Sequence, residues 1–522
     1  MAEQLEVERK FTLESDTVLP DIAAAPAMQQ LGVAGVSDPV TYDLRATYFD
    51  TPDLRLAAAR VTLRRRTGGT DAGWHLKLPT SGEARRELRH PLGRDTRTVP
   101  RAVLEPVLGL VRGRPVVPVA TLRTERAVRN LLASDGTVLA EIADDRVVGT
   151  ALGTEREPEA YVQTWRELEV ELVRGGIAVL AGAAQVLADA GIAGSSSPSK
   201  LARVLARGVA TAADRRATGE GHQTGAELVL TYLAGQLRDL ARADIAVRRG
   251  DDDGVHQFRV TCRRIRSVLR EYRAVLRRDQ TDPLREELAW IAAELSSARD
   301  AEVVLEHLLA VVEAQPAELV VGPVRQRLLA ERDVAEKRAV RQVHRSLSGA
   351  RYLRLRDDLD VLLADPPLAG HADRGAGKVA AAALRDCARR MRRRVDACNE
   401  TTGADHDAGL HEVRKAAKTL RYTAEVAESV RPPDSGEDAA DDREAARRRE
   451  ATRLREAMKA VQEYLGDRQD TVVSRQECLR LGAEAQAVGE SSWTYGRLFT
   501  LEEARAAGAE KSFWQLWNDL DL

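Results

Sequence analysis

The sequence predicts an α+β multidomain chain, antiparallel strands first and helices after, and three observations carry that expectation. At 522 residues the chain has the length of about two to four domains. Up to about residue 175 it runs in short alternating segments broken by turn residues, the period-two pattern of half-buried strands. From Gly225 onward apolar residues recur every three or four positions through long Ala/Leu/Arg/Glu stretches, the period of amphipathic helices.

Strands are expected at residues 5–13, 46–49, 61–66, 74–78, 138–142 and 167–172. A helix follows at 177–190, then Ser195-Ser196-Ser197-Pro198, then a polar, glycine-bearing stretch at 213–223 that marks a domain boundary. Residues 1–209 are therefore read as one domain, 210–224 as a linker and 225–510 as a helical domain with helices at 227–248, 255–276 and 283–312 among others. Within it, 432–449 is dense in Asp, Glu and Arg and reads as a solvated, disordered insertion. Residues 511–522 form an amphipathic tail in which Phe513, Leu516, Trp517 and Leu520 recur at helical spacing, a stripe for core packing or docking.

The helical half is internally duplicated. His256-Gln257-Phe258-Arg259 is followed by Arg263 and Arg266, and His411-Glu412-Val413-Arg414 by Lys418 and Arg421, so each copy sets basic residues three, seven and ten positions after a histidine. Those positions share one helical face. A second echo follows each copy, Leu295-Ser296-Ser297-Ala298-Arg299-Asp300 and Leu465-Gly466-Asp467-Arg468-Gln469-Asp470.

Lys and Arg number 79 against 81 Asp and Glu, a formal net charge of −2, so attraction to a polyanion must come from local patches. Cys262, Cys387, Cys398 and Cys478 show no C-x-x-C spacing, which argues against a disulfide framework and a structural zinc site and fits a reducing cytoplasm. The first residues have neither a basic n-region nor an apolar h-region, and no stretch approaches the roughly 18 apolar residues of a membrane span. Neither export nor membrane insertion is expected.

The polar members of the strand runs are unusual. Glu6, Glu8 and Lys10 share a face, as do Arg64 and Arg66, His75 and Lys77, and Glu167, Glu169 and Glu171. Any one such face could be the solvent side of a half-buried sheet. Solvent sides usually mix Thr, Ser and Gln, whereas here several runs each present an unbroken charged set. If the sheet closes with these faces inward, its lumen holds carboxylates beside ammonium and guanidinium groups, a costly arrangement unless paired, solvated or filled by an ion. A phosphate chain with divalent cations satisfies both sets: Lys and Arg neutralise phosphate oxygens, and hard carboxylate oxygens hold Mg²⁺ or Mn²⁺.

Glu6-Val7-Glu8-Arg9-Lys10 resembles the Glu-x-Glu-x-Lys signature of the CYTH domain, the triphosphate tunnel metalloenzymes. The likeness continues through Tyr48-Phe49-Asp50-Thr51-Pro52, Leu63-Arg64-Arg65-Arg66, Leu76-Lys77, Arg86-Glu87, Glu141-Ile142-Ala143-Asp144-Asp145, Glu167-Leu168-Glu169-Val170-Glu171-Leu172 and Ser199-Lys200, over residues 3–207. The resemblance implies a closed antiparallel β-tunnel in which Lys10, Arg64, Arg66, Lys77, Arg126 and Lys200 grip a triphosphate. Glu6, Glu8, Asp145, Glu169 and Glu171 would hold the metal, Mg²⁺ or Mn²⁺, with Glu6, Glu8 and Lys10 at the chemistry. Parity leaves two choices open, Arg123 or Arg126 and Asp144 or Asp145, of which Arg126 and Asp145 are preferred.

The stretch from Val255 carries Arg259, Arg263, Arg264, Arg266, Arg270, Arg273, Arg277 and Arg278 against Glu271 alone, without the alternating signs of an ordinary solvated helix. With the duplicated histidine motif it resembles the CHAD domain, over residues 225–510. That resemblance implies a pair of helical bundles with a basic groove for inorganic polyphosphate, lined by His256, Arg259, Arg263, Arg266, His411, Arg414, Lys415, Lys418 and Arg421. The two histidines would be metal ligands, catalytic bases, or donors to phosphate or a neighbouring helix. Nucleic acid competes for such a groove, but base-stacking aromatics are sparse there, chiefly Phe258, Tyr272 and Tyr422, which counts against it. The function expected is metal-dependent hydrolysis of a linear triphosphate, inorganic tripolyphosphate first, by a cytoplasmic protein associated with polyphosphate granules. The alternatives are a non-catalytic polyphosphate scaffold and an adenylate cyclase-type tunnel enzyme.

Overall fold

A computed structural model describes residues 2–80, 84–93, 98–155, 158–205, 223–431 and 438–520, with side chains placed in all of these except 297–300 and 438–443. The chain divides into two compact units, Met1–Thr211 and Ala212–Leu522. Most of the expected linker, and residues 432–437 of the expected insertion, lie outside the described residues.

The first unit is one antiparallel sheet. Its strands are β1 (Ala2–Glu6), β2 (Glu8–Leu13), β3 (Gly35–Val36), β4 (Val40–Asp50), β5 (Thr62–Thr67), β6 (Gly73–Pro79), β7 (Arg85–His90), β8 (Val117–Leu132), β9 (Val138–Ala151) and β10 (Tyr161–Leu172). Their order is β1-β7-β6-β5-β4-β8-β9-β10-β2, with β3 added to β8. By pairing this is an open, curled sheet and not the closed barrel expected, because no ladder joins β1 to β2. The physical reason is a break at Val7: one N-terminal segment becomes two consecutive strands, of which the first pairs with β7 and the second with β10. The two edges of the sheet are therefore consecutive in the chain.

The outward faces are the apolar ones. Helix α1 (Ile177–Asp189) buries Leu180, Ala183 and Leu187 against Leu168, Val170 and Ile142. On the concave side itself, the short helix α2 (Lys200–Val204) packs Leu201 and Val204 against Trp165, Leu122 and Val147, which share strand parity with Glu167, Arg126 and Asp145. Gly149 permits that approach, since a Cβ there would lie 2.6 Å from Val204 Cγ2. With α1 covering the outward apolar side, the charged residues line the concave side beside the residues that α2 packs against.

The second unit is all helical: α3 (Gly225–Arg249), α4 (Gly254–Glu271), α5 (Arg278–Glu313), α6 (Val324–Ser348), α7 (Ala350–Ala364), α8 (Ala376–Asn399), α9 (Gly403–Glu428), α10 (Asp438–Ala487) and α11 (Trp493–Asn518). Helix α4 stops at Glu271, short of the expected Leu276, so Arg273 and Arg277 lie beyond it and Arg278 opens α5. Residues 438–449, expected to be disordered, form the first turns of α10. Their Ala, Glu and Arg are strong helix formers, and i,i+3 pairs such as Arg447 with Glu444 at 3.1 Å support them.

Two hydrophobic clusters fill this unit. The larger draws Phe258 and Ile265 of α4, Met391 of α8, Leu420 of α9 and Met458 of α10 together, and Phe513 of α11 joins it with Trp514, Leu516, Trp517 and Leu520 packed alongside. The smaller combines Leu308 of α5, Leu328 of α6, Leu481 of α10 and Leu498 of α11. All four cysteines are free and buried. Among the described residues no helix is long and apolar enough to cross a membrane.

Candidate functional site

Register explains how the charges meet. Residues directly opposite on antiparallel strands share a face, and the ladders set Glu171 opposite Glu8, Glu169 opposite Lys10, Asp145 opposite both Arg126 and Glu167, Lys77 opposite Glu87, and Arg64 opposite His75. All these positions face the concave side of the sheet. They enclose a cavity of about 400 Å³ whose walls include Glu6, Glu8, Lys10, Arg64, Arg66, Lys77, Arg126, Glu169, Glu171 and Lys200. These are not solvated faces: Glu6 is 4 % exposed, Glu169 7 % and Asp145 0 %.

At one wall Lys10 Nζ lies 2.5 Å from Glu169 and 3.1 Å from Glu8. Arg126 grips Asp145 with two bonds of 2.8 and 2.7 Å and reaches Glu169 at 2.5 Å. Lys200 sits among three carboxylates, 2.8 Å from Asp145, 2.6 Å from Glu167 and 2.7 Å from Glu169. It gets there as the first residue of α2, whose N-cap Ser199 accepts the Ala202 N–H at 3.0 Å. Burial opposes every one of these charges, but the partners win: Lys10, Lys200 and Arg126 hold the Glu169 carboxyl well below its usual range, and Asp145 and Glu169 hold Arg126 and Lys200 above theirs.

At the opposite wall Lys77 lies 2.5 Å from Glu6 and 3.6 Å from the fully buried Glu87. Glu87 also pairs with His75 Nδ1 at 2.8 Å, Arg89 at 2.5 Å and Arg64 at 3.7 Å. Burial, together with Arg64 and Arg66, pushes the His75 imidazole down to about 4 despite Glu87, so it is neutral at pH 7. Arg66 pairs with Asp71. The Nε atoms of Arg64 and Arg66 are nevertheless buried without a hydrogen-bond partner, as donors awaiting an anion are.

The parity choices resolve. Arg126 lines the cavity while Arg123 is exposed and paired with Asp43 at 3.2 Å. Asp145 points inward, and Asp144 is turned to Arg166 at 2.7 Å.

Glu171 is the exception to the pairing. No described residue makes a hydrogen bond or ion pair with it; burial first, then Glu6, Glu8 and Glu169, push its carboxyl up to about 7. This wall is short of positive charge, which a hard divalent cation bound by carboxylate oxygens would supply. A second acidic group, Asp145, Glu167 and Glu169, has ligand atoms within 4.8 Å of one another and could also hold a metal ion, in competition with the Lys200 ammonium.

In the helical unit α4 and α9 bring the two histidine motifs together. Burial, then Arg414 of α9 and Arg263 and Arg259 of α4, push the Lys418 amine down to about 7, against the pull of Asp470. Arg259, Arg263 and Lys418 likewise lower His256, behind burial itself. The Nε atoms of Arg263, Arg266, Arg414 and Arg421 are buried without a hydrogen-bond partner. His411 Nδ1 faces Gln469 Oε1 at 2.9 Å, tying the first motif of the second copy to its echo on α10. Two expected members are drawn off: Lys415 is exposed and held by Glu412 at 2.5 Å, and Arg421 leans to Glu425 at 3.5 Å. Arg266 lies nearer Arg285 and Arg270.

Family models match the two units in turn, a CYTH domain over residues 4–205 and a CHAD domain over residues 231–479. Two proteins of Mycobacterium tuberculosis, the uncharacterized proteins MT2285 of strain CDC 1551 / Oshkosh and Rv2226 of strain ATCC 25618 / H37Rv, are each 37% identical over 518 residues, covering 96% of this chain and 93% of their own. The chain is a CYTH–CHAD protein. Among solved structures, PptA from Streptomyces chartreusis is 18% identical over 57% of this chain and 100% of its own, with a TM-score of 0.43. The CHAD domain from the plant Ricinus communis is 21% identical over 58% and 94%, with a TM-score of 0.44.

Sequence reasoning about the CYTH domain missed Glu87, the carboxylate around which Lys77, Arg64 and Arg89 gather, and passed over Glu167 as a metal candidate. The signal for Glu167 was present, since it shares parity with Glu169 and Glu171. Glu87 lies in a run too short and too charged, Arg-Arg-Glu-Leu-Arg-His, to read as a strand.

Proposed function

We propose that the CYTH domain hydrolyses a linear triphosphate, inorganic tripolyphosphate, with Mg²⁺ or Mn²⁺, and that the CHAD domain binds inorganic polyphosphate. The observation that carries this reading is the buried Nε of Arg64 and of Arg66, each without a hydrogen-bond partner, in a cavity lined by carboxylates and cationic side chains. Arg64, Arg66, Lys77, Lys10, Arg126 and Lys200 would take the phosphate oxygens, exchanging carboxylate partners for phosphate. Glu8 and Glu171, with Glu6, would hold the metal ion, which neutralises the transferring phosphoryl group and lowers the pKa of water when bound. Water would add to the terminal phosphorus as the bond to the pyrophosphate leaving group breaks, and its proton would pass to a carboxylate of this wall not engaged by the metal ion.

The test is a product screen of the full chain on tripolyphosphate, ATP and thiamine triphosphate with each divalent cation. Orthophosphate and pyrophosphate from tripolyphosphate are expected. A cyclic nucleotide from ATP would transfer the reading to a cyclase, and binding without turnover to a scaffold.

A further inference from the structure

The helical unit has a basic cavity of its own. On α9 the residues His411, Arg414 and Lys418 follow the duplicated motif, whereas Ala416 and Thr419, on another face of the same helix, border a separate cavity of about 260 Å³. Its other walls are Arg270 and Glu271 at the end of α4, Arg273 just beyond it, and Ala383, Asp386, Cys387, Arg390 and Arg394 of α8. Four arginines from two helices and a turn thus converge on one space.

Their charge is only partly answered. The buried Glu271 carboxylate accepts from Arg270 Nε at 2.6 Å and from Arg390, and the Cys387 thiol donates to it at 3.2 Å. Although burial opposes its ionisation, Arg270 and Arg390 hold it below the usual carboxylate range, so one anion serves two guanidiniums. Arg270 also donates to Thr419 Oγ1 at 2.7 Å. Arg394 reaches the Glu412 backbone carbonyl at 3.3 Å and its carboxylate at 3.7 Å. Asp386 is engaged with Arg389 at 3.1 Å. Arg273 has no hydrogen-bond or ion-pair partner among the described residues.

We infer that this cavity binds a short phosphate anion of the pyrophosphate class. An apolar ligand does not suit a guanidinium lining, and a single carboxylate would leave most of the positive excess in place. A compact anion with several oxygens can meet Arg273, Arg390 and Arg394 at once through forked bonds. The Ala383 and Ala416 side chains leave room for it, in a volume below the roughly 300–1,000 Å³ of drug-sized ligand sites. The inference does not rest on the reaction proposed for the CYTH domain.

Arginine labelling of the full chain by phenylglyoxal, resolved site by site by peptide mass spectrometry at matched ionic strength, tests it. Pyrophosphate is expected to slow labelling of Arg273 and Arg390 by about tenfold, the scale of one or two charge-assisted bonds, and to leave the exposed Arg325 of α6 unchanged. Filling the cavity with Ala416→Phe should abolish that protection. Should that variant fail to fold, Arg394→Gln should weaken the protection instead. Labelling indifferent to pyrophosphate would overturn the inference. So would protection given only by long-chain polyphosphate and shared equally by Arg263, because the cavity would then be an extension of the groove.

Discussion

Replacing Glu8 by Gln keeps the side chain's size but removes a charge that Lys10 holds at 3.1 Å and that lies opposite Glu171 in the sheet. If the metal ion binds here, E8Q should lower kcat on tripolyphosphate by roughly 100-fold, about 3 kcal/mol of barrier, with unchanged circular dichroism. Activity equal to the parent at saturating Mn²⁺ would remove Glu8 from the site. Glu171 makes a pH prediction. Its carboxyl titrates near 7, so below that pH it carries a proton which metal binding must expel, and above it is already an anion. Mn²⁺ affinity should therefore rise as pH increases through about 7, with proton release measurable by calorimetry in two buffers, and Glu171→Gln should flatten that rise. An unchanged pH dependence in the variant would exclude Glu171 as a ligand. Which side chains face the cavity was legible because parity within a strand is strict: Glu8 and Lys10, or Glu167, Glu169 and Glu171, cannot be split between faces. Which neighbours each finds was not, because pairing depends on register. Lys200 among three carboxylates joins residues more than 30 positions apart, and nothing in the local sequence announces it.

At the scale of elements, the long helices were legible from their period and the strands β2, β5, β6 and β10 from their alternation, whereas the longest strand, β8 (Val117–Leu132), and the short β3 and β7 were not. Helix α3 opens with a capping box, in which Thr224 accepts the Glu227 N–H at 3.2 Å and the Glu227 carboxylate accepts the Thr224 N–H at 2.8 Å. Thr224→Ala should cost about 1 kcal/mol of stability, read as a lower urea midpoint at constant slope. A midpoint equal to the parent's would mean that the α3 start is held by packing alone. The charged stretch at 438–449 shows the opposite failure. Its composition matches that of disordered segments, yet the same Ala, Glu and Arg propagate a helix once later turns of α10 bury Ala451, Leu454 and Met458, because propagation is cheap where nucleation has been met elsewhere. The break at Val7 was equally invisible. Alternation runs through it, and only the two partner strands reveal that the segment changes partners.

Across the whole molecule a net charge of −2 hides two sharply basic surroundings, and polyanion binding should report on them through salt. If Arg259, Arg263, Arg414 and Lys418 bind a phosphate chain, the affinity of the full protein for long-chain polyphosphate should fall steeply as salt rises, because each neutralised phosphate releases counterion. Replacing Arg259, Arg263 and Arg414 together by Gln should reduce the log–log salt slope by about 2, at roughly 0.7 for each phosphate left without its arginine. Folding should survive the change: Arg263 and Arg414 keep an Nε without a partner, so less structure depends on them than on Arg264, which is bound to Glu425 at 2.8 Å. Double-stranded DNA at matched phosphate concentration is the discriminating competitor. Tyr272 is 1 % exposed, and Tyr422 lies against Arg264 and Arg421 with ring-to-guanidinium distances of 5.7 and 5.9 Å, so neither offers a free face for a base, and polyphosphate should win. A duplex that binds more tightly, or a slope unmoved by the triple substitution, would mean that the paired histidine motifs serve to hold α4 against α9 and not to hold a phosphate chain.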